Sequence, residues 1–173
     1  MKRGNVLLWG FAGTTVLTTI LRLGQAAGLT RIDLPLILGL IFTPDRDRAK
    51  AYGFLTHFVN GWIFAGIYAA TFRSLRRTSW WIGGTVGLIH GLFVLTAGLP
   101  VLPGVHPRMA SENQGPEPTS ELEPPGFMAI NYGRETAIAT LVAHVIFGII
   151  LGTFLGAPAS SKSRWFQRLT ATR

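Results

Sequence analysis

The stretch LVAHVIFGIILG, residues 141–152, decides how the chain is to be read, and it has a counterpart in LTHFVNGWIFAG, residues 55–66. Each sets one histidine in an oily run and places a glycine four residues later, His144 with Gly148 and His57 with Gly61. A helix on the surface of a soluble protein carries one apolar stripe, whereas a run that is apolar nearly all round belongs in lipid or in a large core. The rest of the chain favours lipid. Of 173 residues, 48% are hydrophobic and 14% charged, about half the charge of an ordinary soluble protein.

Crossing the hydrocarbon core takes about 20 mostly apolar residues at about 1.5 Å each. Four stretches are long enough: 6–28, 51–72, 80–102 and 136–157. Inside lipid every backbone amide and carbonyl must be paired, and these lengths suit helices better than the tilted strands of a barrel. The expected fold is all-α: an integral membrane four-helix bundle over 1–159, followed by a basic tail over 160–173. After the first span comes IDLPLILGLIF, interrupted by Pro35 and Gly39 and too short to cross; it is expected to lie along the interface or to re-enter shallowly. The opening MKRGNVLLWGFAG has the look of a secretory signal, with small residues for cleavage in GQAAG. Its glycines and threonines form a packing face, which favours a retained helix. The chain has no cysteine, which excludes a disulfide framework and a thiolate metal site.

A net charge of +8 invites a nucleic-acid reading, but the positions of the charges point elsewhere. The N-terminus, the loop after the second span and the tail share one side of the four-span map. They hold Lys2, Arg3, Arg73, Arg76, Arg77, Lys162, Arg164, Arg168 and Arg173, with no acid among them. All eight acids, Asp33, Asp45, Asp47, Glu112, Glu117, Glu121, Glu123 and Glu135, fall on the other side. That is the positive-inside pattern and places both termini in the cytoplasm of a bacterial cell, with the chain in its inner membrane. The partners it implies are membrane lipids and other membrane subunits or a second copy of the chain, and not nucleic acid. Trp80, Trp81, Trp165 and Phe166 stand beside the basic clusters, where amphipathic rings favour the headgroup level, and the tail is expected to form a short surface helix. The long outer loop, 103–135, is rich in proline and acid and is expected to be extended through ASENQGPEPTSELEPP, while GFMAINYG is apolar enough to fold back onto the bundle. Calcium binding by Glu117, Glu121 and Glu123 is a weak alternative, since no ligand loop of fixed spacing accompanies them.

The offset that carries His57 onto His144 also carries Gly61 onto Gly148, Ala65 onto Gly152 and Ala69 onto Gly156. A second offset carries Gly13 onto Gly83, Val16 onto Val86, and AGL at 27–29 onto AGL at 97–99. The expected bundle is thus two parallel two-helix repeats about a pseudo-twofold axis along the membrane normal. Positions four apart share a helix face, so His57, Gly61, Ala65 and Ala69 form one stripe, and His144, Gly148, Gly152 and Gly156 another. Gly83, Gly87 and Gly91 form a third, with His90 in its arc. Small residues at this spacing let helix backbones approach closely in lipid.

His57, His90, His144 and Asn60 are therefore expected to face the bundle interior. Three roles suit them: neutral polar groups bonding across helices, ligands to haem b or a transition metal, and members of a proton or small-solute path. Soluble-enzyme chemistry has little support, with no nucleophile elbow, no phosphate-cradling glycine loop and no HExxH.

The runs AGLTRIDLPLILG, HFVNGWIFAGIYA, GLIHGL and HVIFGIILG together resemble the small, uncharacterised bacterial inner-membrane proteins of the YagU-like kind. The resemblance covers the four spans and the first outer segment and implies a four-helix inner-membrane protein; it assigns no role to any residue. The acidic, proline-rich outer loop departs from it. The expected function is that of a non-enzymatic accessory or structural component in the bilayer, with a small haem or metal protein and a proton or solute conductor as the alternatives.

Overall fold

A computed structural model of the chain describes residues 3–111 and 122–155. These residues are overwhelmingly helical, with an isolated bridge between Met109 and Leu122. Helix α1 covers Arg3–Ala26, α2 Leu34–Gly39, α3 Arg46–Leu75 and α4 Trp80–Phe93. α4 runs through a π-helical segment, Val94–Gly98, into α5, Leu99–Val105; a 3-10 segment, Phe127–Tyr132, then leads to α6, Thr136–Phe154. Three stretches, Asn5–Ala26, Trp80–Val105 and Thr136–Phe154, are long and apolar enough to cross a membrane. The remaining expected span, 51–72, lies inside α3 and is not among the three; His57 and Asn60, which draw attention to it, also dilute its apolar character.

Local chemistry sets the ends of these helices. α1 stops where Gly28 turns to φ +73, a left-handed conformation that glycine adopts without penalty. α3 begins before the expected residue 51 because Asp45 caps it, its carboxylate accepting from the backbone N–H groups of Asp47 and Arg48. Ser79 caps α4 by accepting from the Ile82 N–H. The third long helix continues past the expected residue 102 despite Pro100. That proline has no N–H to return to the preceding turn and its ring crowds the carbonyl there; the wider π turn at Val94–Gly98 absorbs the misfit.

The packing follows the small residues. A Cβ at Gly83 would fall on the Gly148 carbonyl oxygen and stand 2.8 Å from Gly152 Cα, and one at Gly87 would fall on the His144 carbonyl oxygen. Gly91 sits over His144 Cβ, at 3.1 Å from a Cβ built there. α4 and α6 are thus in backbone contact through Gly83, Gly87, Gly148 and Gly152, with Gly91 against the His144 side chain. In the other pair, Gly61 of α3 lies against the Thr14 side chain of α1, and Gly10 of α1 against Ala65 of α3. Gly13 meets the Phe147 ring, which ties α1 to α6. Leu17, Leu21, Tyr68, Phe72, Phe147 and Leu151 fill the core between these helices. Gly156 and the tail, 160–173, lie outside the described residues.

A second core forms at the other end, where Ile32, Ile37, Leu95, Leu99, Met109 and Tyr132 cluster. The GFMAINYG stretch folds back as expected: Arg31 N–H donates to the Tyr132 carbonyl, the Arg31 guanidinium to the Asn131 carbonyl, and the Tyr132 hydroxyl to the Glu123 carbonyl at 2.6 Å. Burial pushes the Tyr132 phenol up to about 12; the nearby Glu123 adds to the rise and Arg31 opposes it. α2 packs on the first turns of α3, Gly39 against the Ala49 carbonyl and Gly53 against the Pro35 carbonyl. The middle of the loop expected on the outer side, 112–121, including Glu117 and Glu121 of the calcium reading, lies outside the described residues.

Candidate functional site

The backbones of α3 and α4 stand apart although only a short turn joins them. Large side chains hold them there: the His90 ring stacks on Phe64 with centroids 3.8 Å apart, and His90 Nδ1 lies 3.3 Å from the Tyr68 hydroxyl. Beside this wedge is a cavity of about 230 Å³. Its polar wall is His57 and Asn60 from α3, His90 from α4, and His144 from α6, with Thr14 of α1 behind them. The rest is apolar, with Leu34 and Leu38 of α2, Phe93, and Leu99 and Leu102 of α5 all contributing. All four residues singled out from the sequence therefore border one space.

Their hydrogen bonding differs. His144 is 5% exposed, and its Nδ1 lies 2.7 Å from the Thr140 carbonyl of its own helix. A carbonyl can only accept, so Nδ1 carries the proton and, in the neutral ring, Nε2 presents a lone pair. His57 is 9% exposed and, among the described residues, neither of its ring nitrogens nor the Asn60 amide has a hydrogen-bond partner in the protein. His90 meets His144 edge to face, ring centroids 4.7 Å apart. Among the described residues, no carboxylate, lysine or arginine borders the cavity.

The cavity, about 230 Å³, has no room for a porphyrin, and His90 and His144, whose rings meet edge to face, cannot take opposite faces of one haem iron. Among the described residues, no group of three or more His, Cys, Asp or Glu could hold a metal ion. A larger cavity, about 460 Å³, lies against Thr96, Pro100, Pro103 and Phe127. Among the described residues it has no titratable side chain in its lining, so the histidine cavity is taken as the candidate site.

His106, which follows α5, is 5% exposed. Its Nε2–H donates to the Ile37 carbonyl at 2.9 Å, and its Nδ1 accepts from the Arg108 backbone N–H at 3.1 Å. The Arg108 guanidinium donates to the carbonyls of Leu40 and Ile41 just past α2. These two residues pin α2, whose Leu34 and Leu38 form part of the cavity wall. No protein family, curated protein or solved structure matches the chain.

Proposed function

We propose that the chain is a multi-pass protein of the bacterial inner membrane, a non-enzymatic accessory component that holds a small molecule within the bilayer. Its four long helices are the four spans, with both termini in the cytoplasm and α2 packed near the outer interface. The α1/α3 and α4/α6 pairs are the two parallel repeats, each closed through small residues, and the resemblance to the YagU-like proteins accords with this. The observation that carries the reading is the convergence of His57, Asn60, His90 and His144, from three separate helices, on one otherwise apolar cavity. Polar groups at that depth are costly unless something pairs with them, and the Thr14 hydroxyl of the wall is tied to the Gly10 carbonyl at 2.8 Å.

The Tyr68–His90 contact and the His90–His144 ring contact favour a second reading, a short proton path. Both readings need the same topology, and a chain without cysteine suits its test. A reporter fused after Arg173 should read as cytoplasmic and one inserted at Gln114 as external. Asn60→Cys, as the single cysteine, should react with a small lipid-soluble thiol reagent and resist a charged, membrane-impermeant one. An external C-terminus, or equal reaction with both reagents, would overturn the bilayer placement.

A further inference from the structure

We infer that the cavity beside His144 binds an aromatic hydroxyl compound, a phenol or quinol head, entering sideways between α3 and α4. This rests on the proposed membrane placement and goes beyond it by naming the chemistry of the ligand.

Size comes first. A dry cavity of about 150 Å³ lined by Leu, Ile and Phe holds benzene. At about 230 Å³, this one has room for one ring with a few small substituents. The wall of Phe64, Phe93, Leu17 and Leu99 suits a flat apolar body and has no charge to pair with an ion.

Hydrogen bonding then selects the functional group. His144 Nδ1 is committed to the Thr140 carbonyl, so its Nε2 is a fixed acceptor and calls for a donor. An aromatic O–H supplies one and an ether or a bare ring does not. The same hydroxyl oxygen retains lone pairs for an imidazole N–H of His57 or the Asn60 amide, both without protein partners among the described residues.

The route in follows from the helix pairing. The large contacts of α3 are with α1 and α2, and those of α4 with α6, so the α3/α4 side is where the bundle is least closed. Asn60 and His90 are half-buried there and Phe93 is 53% exposed. A ligand dissolved in the bilayer would meet this gap directly, whereas α2, pinned by His106 and Arg108, covers the cavity from the outer end.

The test is equilibrium binding to the full chain in lipid nanodiscs, with hydroquinone, phenol, anisole and toluene as probes. Hydroquinone and phenol should bind saturably with one site per chain. Anisole, of similar shape but without the O–H, should bind at least tenfold more weakly, because it leaves His144 Nε2 unpaired. His57→Phe should lower hydroquinone affinity more than toluene affinity. A decyl-tailed benzoquinol, its concentration expressed per lipid, separates the sources: tighter binding than hydroquinone identifies a membrane-borne quinol, and equal binding a free phenol. Either result supports the inference. Anisole or toluene binding as tightly as phenol, or no saturable binding of any hydroxylated ring, would overturn it. Because the ligand and topology experiments are independent, loss of binding with the topology intact would remove only the ligand class.

Discussion

Replacing Gly148 with alanine tests the α4/α6 contact most directly, because two opposed effects can be weighed from the structure. In an open helix the change gains about 1 kcal/mol, the difference in helix propensity between glycine and alanine. At Gly148 the added Cβ would fall on the Gly83 carbonyl oxygen and stand 2.9 Å from Gly87 Cα. Both are backbone atoms, so no side chain can rotate away and the helices must part. Parting by about 0.5–1 Å forfeits a quarter to a half of each contact's dispersion energy along the crossing, and overpacking of this kind costs about 1–3 kcal/mol or more. Because both clashing atoms are backbone, the overlap cost should lie at the upper end, about 2–3 kcal/mol, giving a net loss of about 1–2 kcal/mol. Gly66 is the internal control: a Cβ there meets nothing within 4 Å, so Gly66→Ala should be neutral or more stable by up to about 1 kcal/mol. Reversible unfolding in mixed detergent micelles, followed by circular dichroism, would measure both variants. If Gly148→Ala matched Gly66→Ala, the glycine faces of α4 and α6 would not be in contact and the packing argument would be wrong.

Two further predictions concern the segment around α2 and Tyr132. Tyr132→Phe loses the bond to the Glu123 carbonyl and should be less stable by about 1 kcal/mol at pH 8. Since the fold raises the phenol's pKa, the wild type keeps its full stability below the ordinary phenol value near 10 and loses it as pH rises through about 12. The gap between the two proteins should therefore narrow across that window, and a constant gap would contradict the burial of Tyr132. Arg108→Ala should weaken the hold on Leu40 and Ile41 by about 1 kcal/mol. It should speed amide exchange in α2 and quicken thiol labelling of Asn60→Cys, and unchanged rates for both would show that Arg108 does not pin α2.

The residues that made the site legible in the sequence were those whose signal is periodic. Gly61, Gly83, Gly87, Gly91 and Gly148 recur at helical spacing, and His57, His90 and His144 share their faces, so their convergence followed from face geometry. Other features carry no such signal. The early start of α3 depends on one cap, Asp45, set in a charged run that looks like loop. The π segment answers to a proline six residues beyond the start of the anomaly at Val94. His106 was missed because its partner is a backbone carbonyl on α2, distant in sequence and of no particular residue type. The clamp on His90 depends on Phe64 and Tyr68 pointing at α4, and in an apolar helix aromatic residues mark every face alike.

The cavity itself follows from how the small residues are distributed. A helix that approaches one neighbour closely must put its small residues on that side, and its large ones then face elsewhere. On α3, Gly61 and Ala65 are given over to α1, and Gly53 to α2; on α4, Gly83, Gly87 and Gly91 are given over to α6. What α3 and α4 present to each other is Phe64, Tyr68 and His90, three rings that keep the backbones apart. Below, those rings fill the gap, Phe64 stacked on His90 and Tyr68 edge-on to it. Above, Asn60 and His57 are shorter than the separation requires, and the gap stays open under α2. Tight packing on two sides thus produces a space on the third, and the polar residues stand where that space is. Changing Phe64 to alanine should therefore extend the cavity toward Tyr68 while leaving the α1/α3 and α4/α6 contacts unchanged, because no glycine in either contact touches that ring.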